Sequence, residues 1–339
     1  MTGSVRPQNL RRGLVLGGGG VLGASWMIGA LAALQDAYGW DPRDAEVLVG
    51  TSAGSVLSGL LGCGITVETL VNHQRGIPAP GDPAVDFDPE NASGGPLPPR
   101  PKIAIGSTAL LAHAVRHPRR LPPLAILSGL APQGRGQLDA VGALIDAAVG
   151  AAAEAADPEA AGPADEWAPH DATWIVTMDY DTGRRVPFGR AGAPPARLRD
   201  AVMASCAIPG WYAPVTIDGR RYVDGGTCSP TSLDLLAGRG LDEVVVLAPM
   251  VSFEMDEPAS LVGRVERRFR RAMTKRVLRE AAKVRRQGTA VTILGPGRED
   301  LEAIGVNLMD PRRRLRVLDT SLRTSAAALR TGDATLPAA

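Results

Sequence analysis

The chain has 339 residues, 45% of them hydrophobic, which is enough for one large core or two modest ones. Its 37 Lys and Arg against 36 Asp and Glu leave a formal charge of +1, so no whole-chain field favours nucleic acid and none is expected as a partner. Three cysteines, Cys63, Cys206 and Cys228, lie far apart with no CxxC pair, which argues against a disulfide framework or a zinc site and fits a reducing, cytoplasmic setting.

Residues 13–34 follow Arg11-Arg12 and carry no ionisable side chain, which raises a membrane span or a secretory signal. Seven glycines argue against both, four of them consecutive from Gly17 to Gly20, because each costs about 1 kcal/mol relative to Ala inside a helix. A strand at 14–16, a glycine loop and a helix over about 24–34 account for the same residues. Further β-rich runs at 46–49, 173–178, 221–223, 243–248 and 290–294 alternate with helical patterns. That alternation predicts an α/β fold of three layers, α/β/α, around a mostly parallel sheet.

Residues 76–169 interrupt the pattern with proline-dense stretches (PAPGDP, GGPLPPRP, LPPL) and then an Ala-rich run whose residues 138–156 read as a helix. The segment reads equally as an active-site cover or as a surface insertion with no part in chemistry. Near the other end, Val262, Val265, Phe269, Met273, Val277, Ala281 and Val284 form one helical stripe, and eleven Lys/Arg against two Glu cover the rest of residues 262–286. Such a helix either docks on the sheet by its stripe, the cations solvated, or lies on an anionic membrane surface at the inner face of the bilayer. The expected division is a tail over 1–12, a main unit over 13–250 and an extension over 251–339 whose basic helix, further strand and helices pack on the core.

Two glycine motifs carry the chemistry. Gly50-Thr51-Ser52-Ala53-Gly54 is a G-x-S-x-G sequence between an apolar run and a helix-like segment over 55–61. In that setting the serine occupies a sharp strand-to-helix turn, where flanking glycines relieve clashes as the backbone doubles back, and the helix N-terminus favours negative charge beside it. The earlier run satisfies G-x-G-x-x-G at Gly18, Gly20 and Gly23. A dinucleotide site would want an acidic residue at the end of the second strand, which instead ends in Val49-Gly50-Thr51-Ser52, while Asp41, Asp44 and Glu46 precede or open it. The other use of such a loop is to converge bare backbone N–H groups on an oxyanion. Adjacent parallel strands would bring both loops to one edge of the sheet.

A serine nucleophile needs a proton acceptor. The histidines are His73, His113, His117 and His170; His170 best fits a Ser, acid, His order, after Asp139, Asp146, Asp157 or Asp165, yet none has the strand-end setting of a base. Asp224 does. It ends a strand that follows an Asp218-Gly219 hairpin turn, and Gly225 and Gly226 after it allow close backbone approach. Standing alone, Asp-Gly-Gly would read as a turn cap.

Taken together, the glycine-rich loop, G-x-S-x-G and Asp224-Gly225-Gly226, in this order, resemble the patatin-like phospholipase family. The likeness extends to DAVMASCAIPG over 200–210, to Pro214-Val215 and to a hairpin around 179–183, and spans about 13–248 without the insertion. The resemblance implies a Ser/Asp dyad without histidine: Ser52 as nucleophile, Asp224 as base, and an oxyanion hole of the Gly18, Gly19 and Gly20 amides with Ala53 as a further donor. It implies an acyl-ester lipid substrate, be it phospholipid, lysophospholipid or acylglycerol, and no metal or cofactor. Where many members carry Arg or Lys just before the last glycine of the first motif, this chain has Leu22. The rival readings are a lipid transacylase, a non-catalytic lipid- or membrane-binding module with the same fold, and a nucleotide-binding domain.

Overall fold

A computed structural model of the chain describes residues 10–77, 97–102, 104–117, 121–156, 166–253 and 260–331. Its strands are β1 (Arg12–Leu16), β2 (Val47–Thr51), β3 (Thr173–Asp179), β4 (Arg185–Phe188), β5 (Val215–Ile217), β6 (Arg220–Asp224), β7 (Glu243–Leu247) and β8 (Ala290–Leu294). They form one sheet in the order β5-β6-β3-β2-β1-β7-β8, with β4 also paired to β3. Neighbours from β3 through β8 are parallel, whereas β4 and β6 run antiparallel to β3, and β5 to β6. The six expected strands are all present. The two that went unread, β4 and β5, are short; β4 carries Pro187, which tolerates only edge or irregular positions.

The helices are α1 (Gly20–Tyr38), α2 (Ala53–Gly62), α3 (Val67–Arg75), α4 (Thr108–Arg116), α5 (Pro123–Leu130), α6 (Asp139–Ala156), α7 (Leu198–Cys206), α8 (Leu261–Arg285), α9 (Arg298–Ile304) and α10 (Arg314–Thr331). Side chains alternate across each strand, so Leu14, Leu16 and Leu48 face a core shared with α1, α2, α6, α7 and α10, while Val15, Val47 and Val49 face a second core shared with α8. The sheet thus lies between two helical layers, the expected α/β/α sandwich. Residues 13–34, tested above as a membrane span, are β1, the glycine loop and most of α1. No helix among the described residues is long and apolar enough to cross a membrane.

The C-terminal extension is built into this core. β8 pairs with β7, and α10 lies against α1 so closely that a Cβ on Gly29 would come within 2.8 Å of the Ser321 Cβ. Ser321 Oγ donates to the Trp26 carbonyl at 2.7 Å.

Within the proline-rich insertion, α5 opens on Pro123, a position where the missing N–H costs nothing. With α4 it packs Leu110 and Ala125 on Met178, Tyr180 and Val223, at the ends of β3 and β6. The Tyr180 hydroxyl donates to the Ser128 carbonyl at 2.9 Å. The expected helix over 138–156 is α6, which packs on α2 and α7.

The apolar stripe of α8 is divided, so the docked alternative holds for only part of it. Val277, Ala281 and Val284 are buried on the sheet, but Val262, Val265 and Phe269 are exposed. In that first half the inward positions belong to Arg270 and Thr274. The cause is the loop after β7, whose carbonyls need donors: Arg270 Nη1 donates to Pro249 O at 2.6 Å and Thr274 Oγ1 to Ser252 O at 3.2 Å. A polar inner face there turns the stripe outward.

Candidate active site

One strand brings the two halves of the site together. Along one side of β3, β2 pairs in parallel up to Thr51 opposite Val176, and β6 then pairs in antiparallel from Asp224 opposite Thr177, while β4 fills the other side. The last residues of β2 and β6 therefore meet head-on over adjacent residues of β3. Just past that junction the Ser52 hydroxyl lies beside the Asp224 carboxylate, near enough to draw its pKa down.

Ser52 has φ 53° and ψ −124°, in the left-handed half of backbone space, at a cost of about 1–3 kcal/mol. The surroundings hold it there. Its N–H donates to Ser205 Oγ at 2.9 Å, which in turn donates to Val176 O at 2.7 Å. Its carbonyl accepts from Ser55 N at 2.7 Å and from Ser55 Oγ at 2.6 Å, closing the first turn of α2. The flanking glycines are steric requirements: a Cβ on Gly50 would lie 2.5 Å from the Gly54 carbonyl, and one on Gly54 would lie 2.0 Å from the Leu16 carbonyl.

Asp224 is buried, and burial pushes its carboxyl up from 3.8 to about 6, opposed by the neighbouring Ser52 hydroxyl and by the hydrogen bond from the Gly226 amide. That amide donates to Asp224 Oδ1 at 2.7 Å, so the second glycine fixes the carboxylate plane, while a Cβ on Gly225 would press within 2.4 Å of Val176 O. A carboxylate titrating near neutrality and touching a serine hydroxyl is suited to take its proton.

The glycine loop meets the same point, but not as expected throughout. The Gly18 amide donates to Pro230 O at 2.8 Å, so it shapes the loop and leaves the expected oxyanion hole without that donor. Gly23 donates to Gly19 O at 2.9 Å within the first turn of α1 and packs on Pro249. The amides at the cavity are those of Gly19, Gly20 and Ala53, which open α1 and α2, where helix N–H groups lack intrahelical partners. Gly20 has φ +62°, and a Cβ there would meet Met309 Sδ at 2.8 Å and Leu308 O at 3.0 Å. Leu22, in the position where a cation was looked for, is fully buried and its amide donates to Leu308 O at 3.0 Å.

None of the histidines takes the place of Asp224. His170 Nε2 bonds the Ala45 carbonyl at 2.7 Å and its Nδ1 accepts from the Ala172 amide at 3.2 Å; both partners precede their strands, at the opposite end of the sheet from Ser52. His113 and His117 pack ring against ring at the end of α4. Asp146 pairs with Arg199, and Asp157 and Asp165 lie outside the described residues. His73 lines the cavity described next, from α3. No group of three or more His, Cys, Asp or Glu side chains that could hold a metal occurs among the described residues.

Two cavities share Ser52, Gly20, Ile208 and Met309. The inner one has a volume of about 140 Å³ and runs between helices, walled by Ala24 and Ile28 of α1, Leu57 and Leu60 of α2, Leu70 of α3 and Val141 and Leu144 of α6. The outer cleft is lined by Gly19, Asp224, Trp211, Leu127 of α5, and Phe269 and Met273 of α8.

A family model described as patatin-like phospholipase matches residues 14–79 and 105–237, more than half of the chain. The chain belongs to the patatin-like phospholipase family. The match takes in both glycine motifs and Asp224, and supports a lipid acyl hydrolase of the patatin type. The fold is also similar to the crystal structure of VipD from Legionella pneumophila, at 14% identity and a TM-score of 0.45, covering 95% of this chain and 67% of that one.

This patatin-like site draws on residues that sequence reasoning passed over. Ser205 belongs to a segment that was noticed, but its grip on the Ser52 amide depends on α7 reaching β2. Leu308 and Met309 carried no signal at all. Ser205→Ala would leave the Ser52 N–H and Val176 O unpaired in a buried setting, a cost of about 1–3 kcal/mol. Steady-state kinetics should show kcat lowered at least about tenfold with KM nearly unchanged, the mark of a lost positioning contact; an unchanged kcat would remove Ser205 from that role.

Proposed function

We propose that the chain is a serine acyl hydrolase acting on fatty-acyl esters of lipids through a Ser52 acyl-enzyme. The observation that carries this reading is the placement of Ser52 beside the Asp224 carboxylate at the junction of an apolar inner cavity and an open outer cleft. Ser52 Oγ attacks the ester carbonyl as its proton passes to Asp224, and the amides of Gly19, Gly20 and Ala53 receive the negative charge on the carbonyl oxygen. When the tetrahedral adduct collapses, the carbon–oxygen bond to the leaving alcohol breaks and Asp224 returns the proton to that oxygen. Water then attacks the acyl-serine, giving its proton to Asp224, and the fatty acid leaves as Ser52 recovers a proton.

The inner cavity receives the acyl chain. Its walls are mainly apolar, as a methylene chain requires, with Ser52, His73, Gln74 and Tyr212 among them. The leaving alcohol, bearing whatever headgroup the lipid has, occupies the outer cleft. In this reading part of the proline-rich insertion is substrate wall, since α6 lines the inner cavity and α5 the outer one.

A fluorophosphonate probe tests the assignment directly. It should label the wild type at Ser52, leave Ser52→Ala unlabelled, and block release of fatty acid from a long-chain acylglycerol or phospholipid; a folded protein that does not react sinks the proposal.

A further inference from the structure

The outer cleft opens through a rim of exposed apolar side chains drawn from three separate parts of the fold. Leu127 of α5, Phe269 of α8 and Val306, in the segment between α9 and α10, line it with relative exposures of 60%, 39% and 58%. On α8 the rim continues away from the cleft as Val265, Val262 and Leu261, at 59%, 64% and 74%, and on α5 as Leu130. This continuation is the part of the α8 stripe turned outward by the inward-facing Arg270 and Thr274. Isolated exposed apolar residues are ordinary, but a row of them converging on a cleft mouth marks an interaction surface.

The charges beside the row say what kind of surface it meets. Residues 261–275 hold six Lys and Arg against one Glu, Glu266, which is engaged by Arg267 and Arg270. Arg264, Arg268 and Lys275 are exposed. An apolar stripe flanked by cations is complementary to a bilayer with anionic headgroups, where the apolar side chains enter the acyl boundary and the long cations reach the phosphates.

We propose that the rim formed by Leu127, Leu130, Val306 and the first half of α8 seats the protein on an anionic lipid bilayer with the mouth of the Ser52 cleft against the membrane. The orientation of the cleft acquires its purpose from the hydrolase reading, whereas the binding itself is independent of it. An acyl ester would then pass from the bilayer to Ser52 without crossing water.

Co-sedimentation of the Ser52→Ala protein with vesicles tests this, because no lipid is consumed and docking is read whether or not the chain is a hydrolase. The vesicles are phosphatidylcholine alone and an equal mixture of phosphatidylcholine and phosphatidylglycerol. Binding is expected to the mixture and to be weaker by roughly twenty-fivefold after Arg264→Gln with Arg268→Gln, at about fivefold per cation lost. Val262→Gln with Val265→Gln should abolish it, and circular dichroism verifies that these exposed substitutions leave the fold intact. Absence of binding, binding unchanged in both double variants, or equal binding to the neutral vesicles overturns the proposal. So does a dimer in sedimentation velocity that the valine substitutions dissolve, which would give the stripe to a second copy of the chain.

Discussion

Asp224→Asn is expected to remove about 10²–10⁴-fold of kcat while making the protein more stable at neutral pH. Asparagine keeps the shape and accepts the Gly226 N–H as before, but it cannot take a proton from Ser52. The wild-type carboxyl, raised from 3.8 to about 6 chiefly by burial, dictates two pH effects. The rate needs the carboxylate, so kcat/KM should fall about tenfold for each pH step below about 6. Stability moves the other way. Because the folded-state value lies above the unfolded one, Asp224 favours the folded protein at low pH, and this contribution is lost as pH rises from about 4 through about 6. The difference amounts to about 3 kcal/mol. Melting curves should therefore place Asp224→Asn above the wild type at pH 7, with the gap closing below about pH 4. A variant equally active, or a wild-type rate flat from pH 7 to pH 4, would exclude Asp224 as the base.

Gly54→Ala is expected to be the most damaging change of a single methyl group. The added carbon would lie 2.0 Å from Leu16 O, 2.4 Å from Leu16 C and 2.8 Å from Gly17 O, all backbone atoms with no rotamer to relieve the overlap. α2 would have to move away from β1 and the glycine loop. That motion would separate Ser52 and the Ala53 amide from those of Gly19 and Gly20, so a folded variant should still lose at least about a hundredfold in kcat, the scale of one misplaced oxyanion donor. Gly150→Ala is the control: its Cβ would meet nothing within 4 Å, and in helix α6 it should stabilise by up to about 1 kcal/mol. Melting temperature and single-turnover acylation, measured on both, separate crowding at the turn from a general effect of replacing glycine. Wild-type acylation by Gly54→Ala would show that the close approach is dispensable.

What the sequence disclosed about this site follows the range over which each signal acts. The strand-to-helix turn at Ser52 and the Asp218-Gly219 hairpin that delivers β6 are local, set by glycine spacing and turn chemistry, so both could be read directly; Asp218 and Gly219 have φ 46° and 71°, as a two-residue hairpin requires. The donor set of the loop could not, because the acceptor that occupies the Gly18 amide is Pro230, remote in sequence and close only once β1 and β7 are side by side. The same holds for Leu308 and Met309, whose place beside Gly20 depends on the course of the chain after β8. The α8 stripe misled for a related reason. Its spacing is that of a docked helix throughout, but the polar demands of residues 249–252 decide which face turns inward over its first half. Leu22 shows the reverse case, a departure visible in the sequence whose outcome is legible only in the fold: a buried contact with Leu308 where a cation was looked for.

The head-on meeting of β2 and β6 over Val176 and Thr177 has a mechanical consequence. Ser52 and Asp224 are spliced onto one beam, so their spacing is set by the pleat of β3 rather than by the packing of helices α1, α3 and α6. A shift of α1, α3 or α6 would leave the separation of Ser52 and Asp224 unchanged, whereas a shift of α2, whose first turn Ser52 opens, would alter it.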